Sequence, residues 1–124
     1  CISGLRAFTR PTGFLDSAVY QSLIEELHPW LCSLLFYFQG EPYLHPRFFD
    51  LVRFAADRHI YTATSTNAHY LSDEQCRQTI ESGLHRLVVS LDGLTPETYR
   101  IYRVGGQLER VVEGIQRLSE WKKR

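Results

Sequence analysis

Three apolar stretches of the chain each break off into small polar residues that could hold a ligand. Phe36-Tyr-Phe-Gln-Gly-Glu-Pro42 ends in a Gly40-Glu41-Pro42 turn. Thr64-Ser-Thr-Asn67 and Val89-Ser-Leu-Asp-Gly93 close two further β-branched or aliphatic runs. In the first, glycine permits close backbone approach and proline restricts Glu41 to an extended shape. Backbone carbonyls and the Glu41 carboxylate could then accept hydrogen bonds from an ammonium group, or Glu41 could sit solvated in a plain strand-to-helix turn. Thr66 and Asn67 pair donors with acceptors on short side chains, which suits ribose hydroxyls. Asn67 could equally take a left-handed turn. Strand alternation puts Ser90 and Asp92 on one face, and Asp92 could instead stabilise the turn at Gly93. Arg103, before Val104-Gly-Gly106, can grip a carboxylate bidentately or join a surface ion pair with an acid such as Glu97.

The elements that must position these groups are readable from periodicity and capping. Asp16 caps a helix to about residue 28, with Val19, Tyr20, Leu23, Ile24 and Leu27 on one face. Residues 31–38 form a continuous apolar run, expected of a parallel strand buried on both faces. Pro46 opens a helix to about residue 58 with Phe48, Leu51, Val52 and Ala55 inward. Residues 60–65 are a second strand. Ser72 and Gln75 form a capping box for a helix that Gly83 stops. Residues 86–90 are a third strand, Thr95-Pro-Glu97 starts a short helix, and Gln107 opens a last one with Leu108, Val111, Val112, Ile115 and Leu118 inward. Strands alternating with helices imply a parallel α/β sheet. Ligands of such sheets bind beyond the carboxyl ends of the strands, so Glu41, Asn67, Ser90 and Arg103 are expected around one pocket.

Bulk properties narrow the function. The chain has 124 residues, 44% hydrophobic and 23% charged, enough for one domain with a modest core. Its 14 basic and 14 acidic residues cancel, which argues against nucleic-acid binding through charge. No apolar run reaches membrane-spanning length and no signal peptide is recognisable, so a cytoplasmic protein is expected. Cys1, Cys32 and Cys76 have neither zinc-site nor redox spacing. Cys32, at the start of the first strand, and Cys76, on a helix face with Ile80, are read as buried packing. The five histidines, scattered near element ends without metal-ligand spacing, are read as structural or solvated. The chain contains no methionine, so it is read as a fragment of a longer protein.

The ordered set Gly40-Glu-Pro42, Thr64-Ser-Thr-Asn67, Glu81-Ser-Gly-Leu84, Ser90-Leu-Asp-Gly93 and Tyr102-Arg-Val-Gly-Gly106 resembles the core of radical S-adenosylmethionine (radical SAM) enzymes. The branch it most resembles carries a C-terminal SPASM or twitch extension. The resemblance covers nearly the whole chain and implies one part, residues 1–124, of a single core domain. The implied fold is a partial (β/α)6 barrel, represented here by about three parallel strands with flanking helices. In that family a Cys-x3-Cys-x2-Cys loop holds a 4Fe-4S cluster, which cleaves SAM reductively to a 5′-deoxyadenosyl radical that abstracts a substrate hydrogen. Carried onto this chain, the resemblance implies SAM contacts from Gly40, Glu41, Pro42, Thr66, Asn67, Ser90, Asp92 and Arg103. It implies Cys1 as the one cluster ligand in range, with the first strand and two further cysteines upstream. Gln39 and Ala68 stand where the family usually has glycine. The implied partners are a peptide or small-molecule substrate and an electron donor such as flavodoxin or ferredoxin. A single thiolate does not hold a cluster that three hold, so the chain alone is expected to be inactive. The rival reading is a non-catalytic α/β binding or scaffold module.

Overall fold

The computed structural model of the protein describes Thr9 and residues 11–124. Cys1 therefore lies outside the described residues. The first helix, α1 (Ser17–Leu27), begins where Asp16 accepts hydrogen bonds from the Ala18 and Val19 amides at 2.9 and 3.0 Å. Only Tyr20 and Ile24 of its expected inward face are buried; Val19, Leu23 and Leu27 are exposed. The reason is that α1 packs mainly on α2 (Phe48–Ala56), a narrow contact that covers one stripe. The Tyr20 hydroxyl donates to the Leu51 carbonyl at 2.8 Å and ties the two helices. In α2 the expected inward set of Phe48, Leu51, Val52 and Ala55 is buried throughout.

Three parallel strands form one sheet in the order β1 (Ser33–Leu35), β2 (Tyr61–Thr66), β3 (Arg86–Val89). Ser33 pairs with Tyr61 and Ala63 with Arg86, which fixes the register. The first strand is shorter than the apolar run suggested. It is an edge strand, and its ladder extends only to the Phe36 amide, which donates to the Ala63 carbonyl at 2.8 Å. Burial on both faces does not hold for it: Leu35, Tyr37 and Phe38 are exposed. Cys32 is also exposed, contrary to the packing role expected of it, although its carbonyl accepts from the Tyr61 amide at 3.1 Å where the edge strand begins. Cys76, by contrast, is fully buried, although its helix neighbour Ile80 is exposed.

The central strand carries the buried polar side chains. Thr62, Thr64 and Thr66 are nearly inaccessible, and each hydroxyl finds a partner, respectively His85 Nδ1, the Phe36 carbonyl and Glu41 Oε1. Such pairing is what makes burial of a hydroxyl tolerable. Beyond β2, Ser72 and Gln75 make the expected capping box for α3 (Asp73–Glu81). Gly83 follows with φ of +78°, a conformation glycine adopts without strain. The Thr95 cap starts α4 (Pro96–Tyr102), and α5 is Leu108–Lys123. Val112 of α5 points outward, while Gly114 is buried in its place. A Cβ at Gly114 would lie 2.9 Å from Leu71 Cβ, so glycine lets α5 close on the loop that follows β2.

Two apolar clusters make the core. One joins Tyr43 of the turn after β1, Phe48 and Val52 of α2, Ala68 and Leu71 of the loop after β2, Cys76 of α3, Tyr99 of α4, and Leu108 and Val111 of α5. The other joins Tyr20, Leu51, Ala55 and Ile60 under α1. No helix among the described residues is long and apolar enough to cross a membrane.

Candidate functional site

Because the strands are parallel, Glu41, Asn67 and Ser90 all follow carboxyl ends and share one rim of the sheet. Gly40 sits at φ +86°, and Glu41 is extended (φ −123°, ψ 110°), as its neighbour Pro42 dictates. Pro42–Leu44 then forms a single 3-10 turn. Glu41 is neither solvated nor idle. Its Oε1 accepts from the Tyr43 amide at 3.2 Å and from Thr66 Oγ1 at 2.8 Å. Its Oε2 accepts from the Asn67 amide at 2.8 Å. One carboxylate thus joins the end of β1 to the end of β2.

The loop after β2 is held as tightly. Thr66 Oγ1 also accepts from the Ala68 amide at 3.0 Å, and Asn67 Oδ1 accepts from the His69 amide at 2.9 Å. Ala68, not Asn67, takes the left-handed conformation, at φ +61°. An alanine there carries strain that glycine would not. His69 bridges onward. Its Nε2 accepts from the Gln107 amide at 3.1 Å, which leaves the proton on Nδ1, 3.0 Å from the Asn67 carbonyl. The structural reading of His69 fits this latch, but its two partners could not be named from sequence.

Ser90 continues the ladder by donating its amide to the Thr66 carbonyl at 2.9 Å, and its hydroxyl lies 3.0 Å from that of Ser65. The third strand ends at Val89, so alternation no longer governs Asp92. Asp92 turns instead to Arg103, which caps the C-terminus of α4. One Asp92 oxygen takes Arg103 Nε at 2.6 Å and Nη2 at 2.5 Å. The arginine's partner is therefore Asp92 and not Glu97. A Cβ on Gly93 would meet the Tyr99 amide nitrogen at 2.4 Å, so the absence of a side chain lets the Asp92 turn press onto α4. The Tyr99 hydroxyl is buried without a hydrogen-bond partner among the described residues. Burial pushes its pKa up, with Arg103 pulling the other way.

The predicted residues thus fall into two bonded groups. Glu41, Thr66 and Asn67 form the first, with Ser90 joined to it through β2. Asp92 and Arg103 form the second. Two surface hollows lie elsewhere. One is lined by Ala68, Tyr70, Gln75, Arg110 and Arg117, the other by Arg53, Asp57, Glu81 and His85. Neither includes Glu41, Ser90 or Arg103. Ser65 belongs to the Thr64-Ser-Thr-Asn67 strand end, and Tyr99 lies within the short helix after Thr95. Ser65 could have been found from its place just before Thr66, facing the next strand; Tyr99 carries no such signal.

A model of the radical SAM superfamily matches residues 2–122. The chain is 30% identical over 111 residues to the AdoMet-dependent heme synthase of Methanosarcina barkeri, covering 89% of this chain and 32% of that protein. It is 31% identical over 113 residues to the tungsten-containing aldehyde ferredoxin oxidoreductase cofactor-modifying protein of Pyrococcus furiosus, covering 89% of this chain and 32% of that one. A probable GTP 3',8-cyclase of Methanococcus maripaludis is 33% identical over 81 residues, 65% of this chain and 27% of its own length. The chain spans about a third of the curated relatives it matches, or less.

Proposed function

The chain belongs to the radical SAM superfamily, and from that premise we propose that it forms the SAM-binding rim of a larger enzyme. What supports the reading is that polar side chains follow the ends of the three parallel strands: Glu41 bonded to Thr66 and the Asn67 amide, Ser90 beside Ser65, and Asp92 paired with Arg103. SAM presents a carboxylate, an ammonium and a ribose diol, and this set of donors and acceptors matches them in kind. The Methanosarcina relative is itself named for AdoMet dependence. Arg103 receives the carboxylate. Ser90 and Asn67 supply short hydrogen-bonding groups. Gly40 and Pro42 shape the turn, and Glu41 with Thr66 holds it against β2 so that the rim keeps its form.

A 4Fe-4S cluster, when bound in such an enzyme, supplies the electron that splits SAM. The described residues do not fit that group. No three of their His, Cys, Asp or Glu side chains gather closely enough to hold a metal ion, and Cys32 and Cys76 lie at the sheet edge and in the core. Cys1 remains the proposed ligand, with others contributed by the rest of the protein. On this reading residues 1–124 are one part of a single core domain in a cytoplasmic enzyme of the SPASM or twitch type. It draws electrons from a flavodoxin or ferredoxin and acts on a peptide or small molecule.

Replacing Arg103 by lysine turns a planar fork into a point contact. SAM affinity of the full-length protein, measured by equilibrium dialysis, is expected to fall by about 1–3 kcal/mol, the range for a charged hydrogen bond. Unchanged affinity would remove Arg103 from the site.

A further inference from the structure

Two helices of this chain carry the same charge spacing with opposite signs and opposite outcomes. On α3, Arg77 lies between Glu74 and Glu81, three and four residues away, and bonds both, at 2.6 and 2.5 Å. Such pairs are what neighbouring turns of a helix favour. On α5, Glu113 lies between Arg110 and Arg117 at the same spacing, yet among the described residues it pairs with neither. Arg117 instead donates Nη1 to the Leu71 carbonyl. Its Nε and Nη2, and the whole Arg110 guanidinium, have no partner among the described residues.

These three charges line one hollow of about 360 Å³, together with Tyr70, Ser72 and Gln75. Small-molecule sites begin at about 300 Å³. Ser72 donates to Gln75 Oε1, which leaves Gln75 Nε2 to donate elsewhere, and the Tyr70 hydroxyl is also unspent among the described residues. Arg110 and Arg117 share a face of α5, two turns or about 10 Å apart, with Glu113 between them. The hollow therefore presents a cation, an anion and a cation in that order. We propose that it binds a small acidic amino acid, with the two carboxylates on Arg110 and Arg117 and the ammonium on Glu113. Two guanidiniums against one carboxylate leave the hollow with a single positive charge, and such a ligand carries a single negative one. A simple anion would meet Glu113 with nothing to offset it. Gln75 Nε2 and the Tyr70 hydroxyl supply further donors to the carboxylates. This site is separate from the strand-end residues and does not depend on their reading.

The test is isothermal titration of the full-length protein with glutamate, with glutarate, which lacks only the ammonium, and with inorganic phosphate. Glutamate is expected to bind about tenfold more tightly than either, the size of one charge-assisted hydrogen bond. Glu113→Gln is expected to weaken glutamate about tenfold while leaving glutarate unchanged or tighter, so the preference disappears. Glu113→Asp, which keeps the charge, should retain it and guards against a fold defect in the amide variant. Arg110→Gln should weaken glutamate and glutarate alike, by about tenfold. Glutarate or phosphate binding as tightly as glutamate would make the hollow a plain anion site and overturn the assignment. So would no binding of glutamate, or binding that neither Glu113→Gln nor Arg110→Gln alters.

Discussion

Glu41→Ala is expected to lower the stability of the ligand-free chain by about 2–4 kcal/mol, measured by urea unfolding. The carboxylate accepts three hydrogen bonds that connect the turn after β1 to the end of β2. Removing it strands Thr66 Oγ1, on a residue only 2% exposed, and the Asn67 amide. A buried donor left without its acceptor costs about 1–3 kcal/mol, and bonds to a charged group are worth more than neutral ones. The losses overlap, so they do not simply add. Glu41→Gln keeps one acceptor oxygen and turns its amide nitrogen toward donors, so it should fall between. A side chain reserved for ligand would leave ligand-free stability unchanged. An unfolding midpoint for Glu41→Ala equal to the parent's would therefore return Glu41 to the role of direct ammonium acceptor.

The second large effect concerns metal. Treated anaerobically with iron and sulfide, the 124-residue chain is expected to retain almost no iron. Cys32 lies exposed before the edge strand and Cys76 is buried in α3 against α5. Burial pushes the Cys76 thiol pKa up, away from the thiolate that binds iron. Cys32 and Cys76, one at the sheet edge and one in the core, do not meet on one cluster, and a cluster needs at least three thiolates here. Joining an upstream segment with two further cysteines should raise the iron to about four per chain and bring a brown absorbance. A stable four-iron cluster on the chain alone would mean that Cys32 or Cys76 moves to ligate it.

Local rules carried much of the fold. The caps at Asp16, Ser72 with Gln75, and Thr95 act within three residues of themselves, so sequence exposes them. The α2 stripe was equally legible because the helix is packed along its whole apolar face. The parallel strand order followed from alternation of strand and helix patterns. What escaped depends on partners. The apolar run at 31–38 has the pattern expected of a strand buried on both faces, yet with one neighbour it pairs over three residues and leaves Leu35 and Cys32 exposed. Val112 fits the helical period but Gly114 takes the contact, because backbone approach to Leu71 sets how α5 lies.

In the site, residue types and rim were legible while pairings were not. Glu41 meets Thr66 across 25 positions of sequence, and no spacing rule predicts that a turn glutamate becomes a bracket. By its type Arg103 reads as a partner for a carboxylate, either a ligand's or a nearby acid's. The carboxylate it holds in the free chain is Asp92. Ala68 shows the same limit from the other side. Its left-handed backbone is forced by the Asn67–His69 loop, and alanine gives no sign of it.

On the proposed reading this rim serves a radical SAM enzyme and not a binding module that has kept the shape alone. The direct measurement is 5′-deoxyadenosine released from SAM by the full-length protein, reconstituted anaerobically and reduced, followed by chromatography with mass detection. The account predicts reductant-dependent release of 5′-deoxyadenosine and methionine, strongly reduced by Arg103→Lys. SAM bound yet recovered intact under reduction, from protein carrying its full iron complement, would contradict it and leave the non-catalytic module standing.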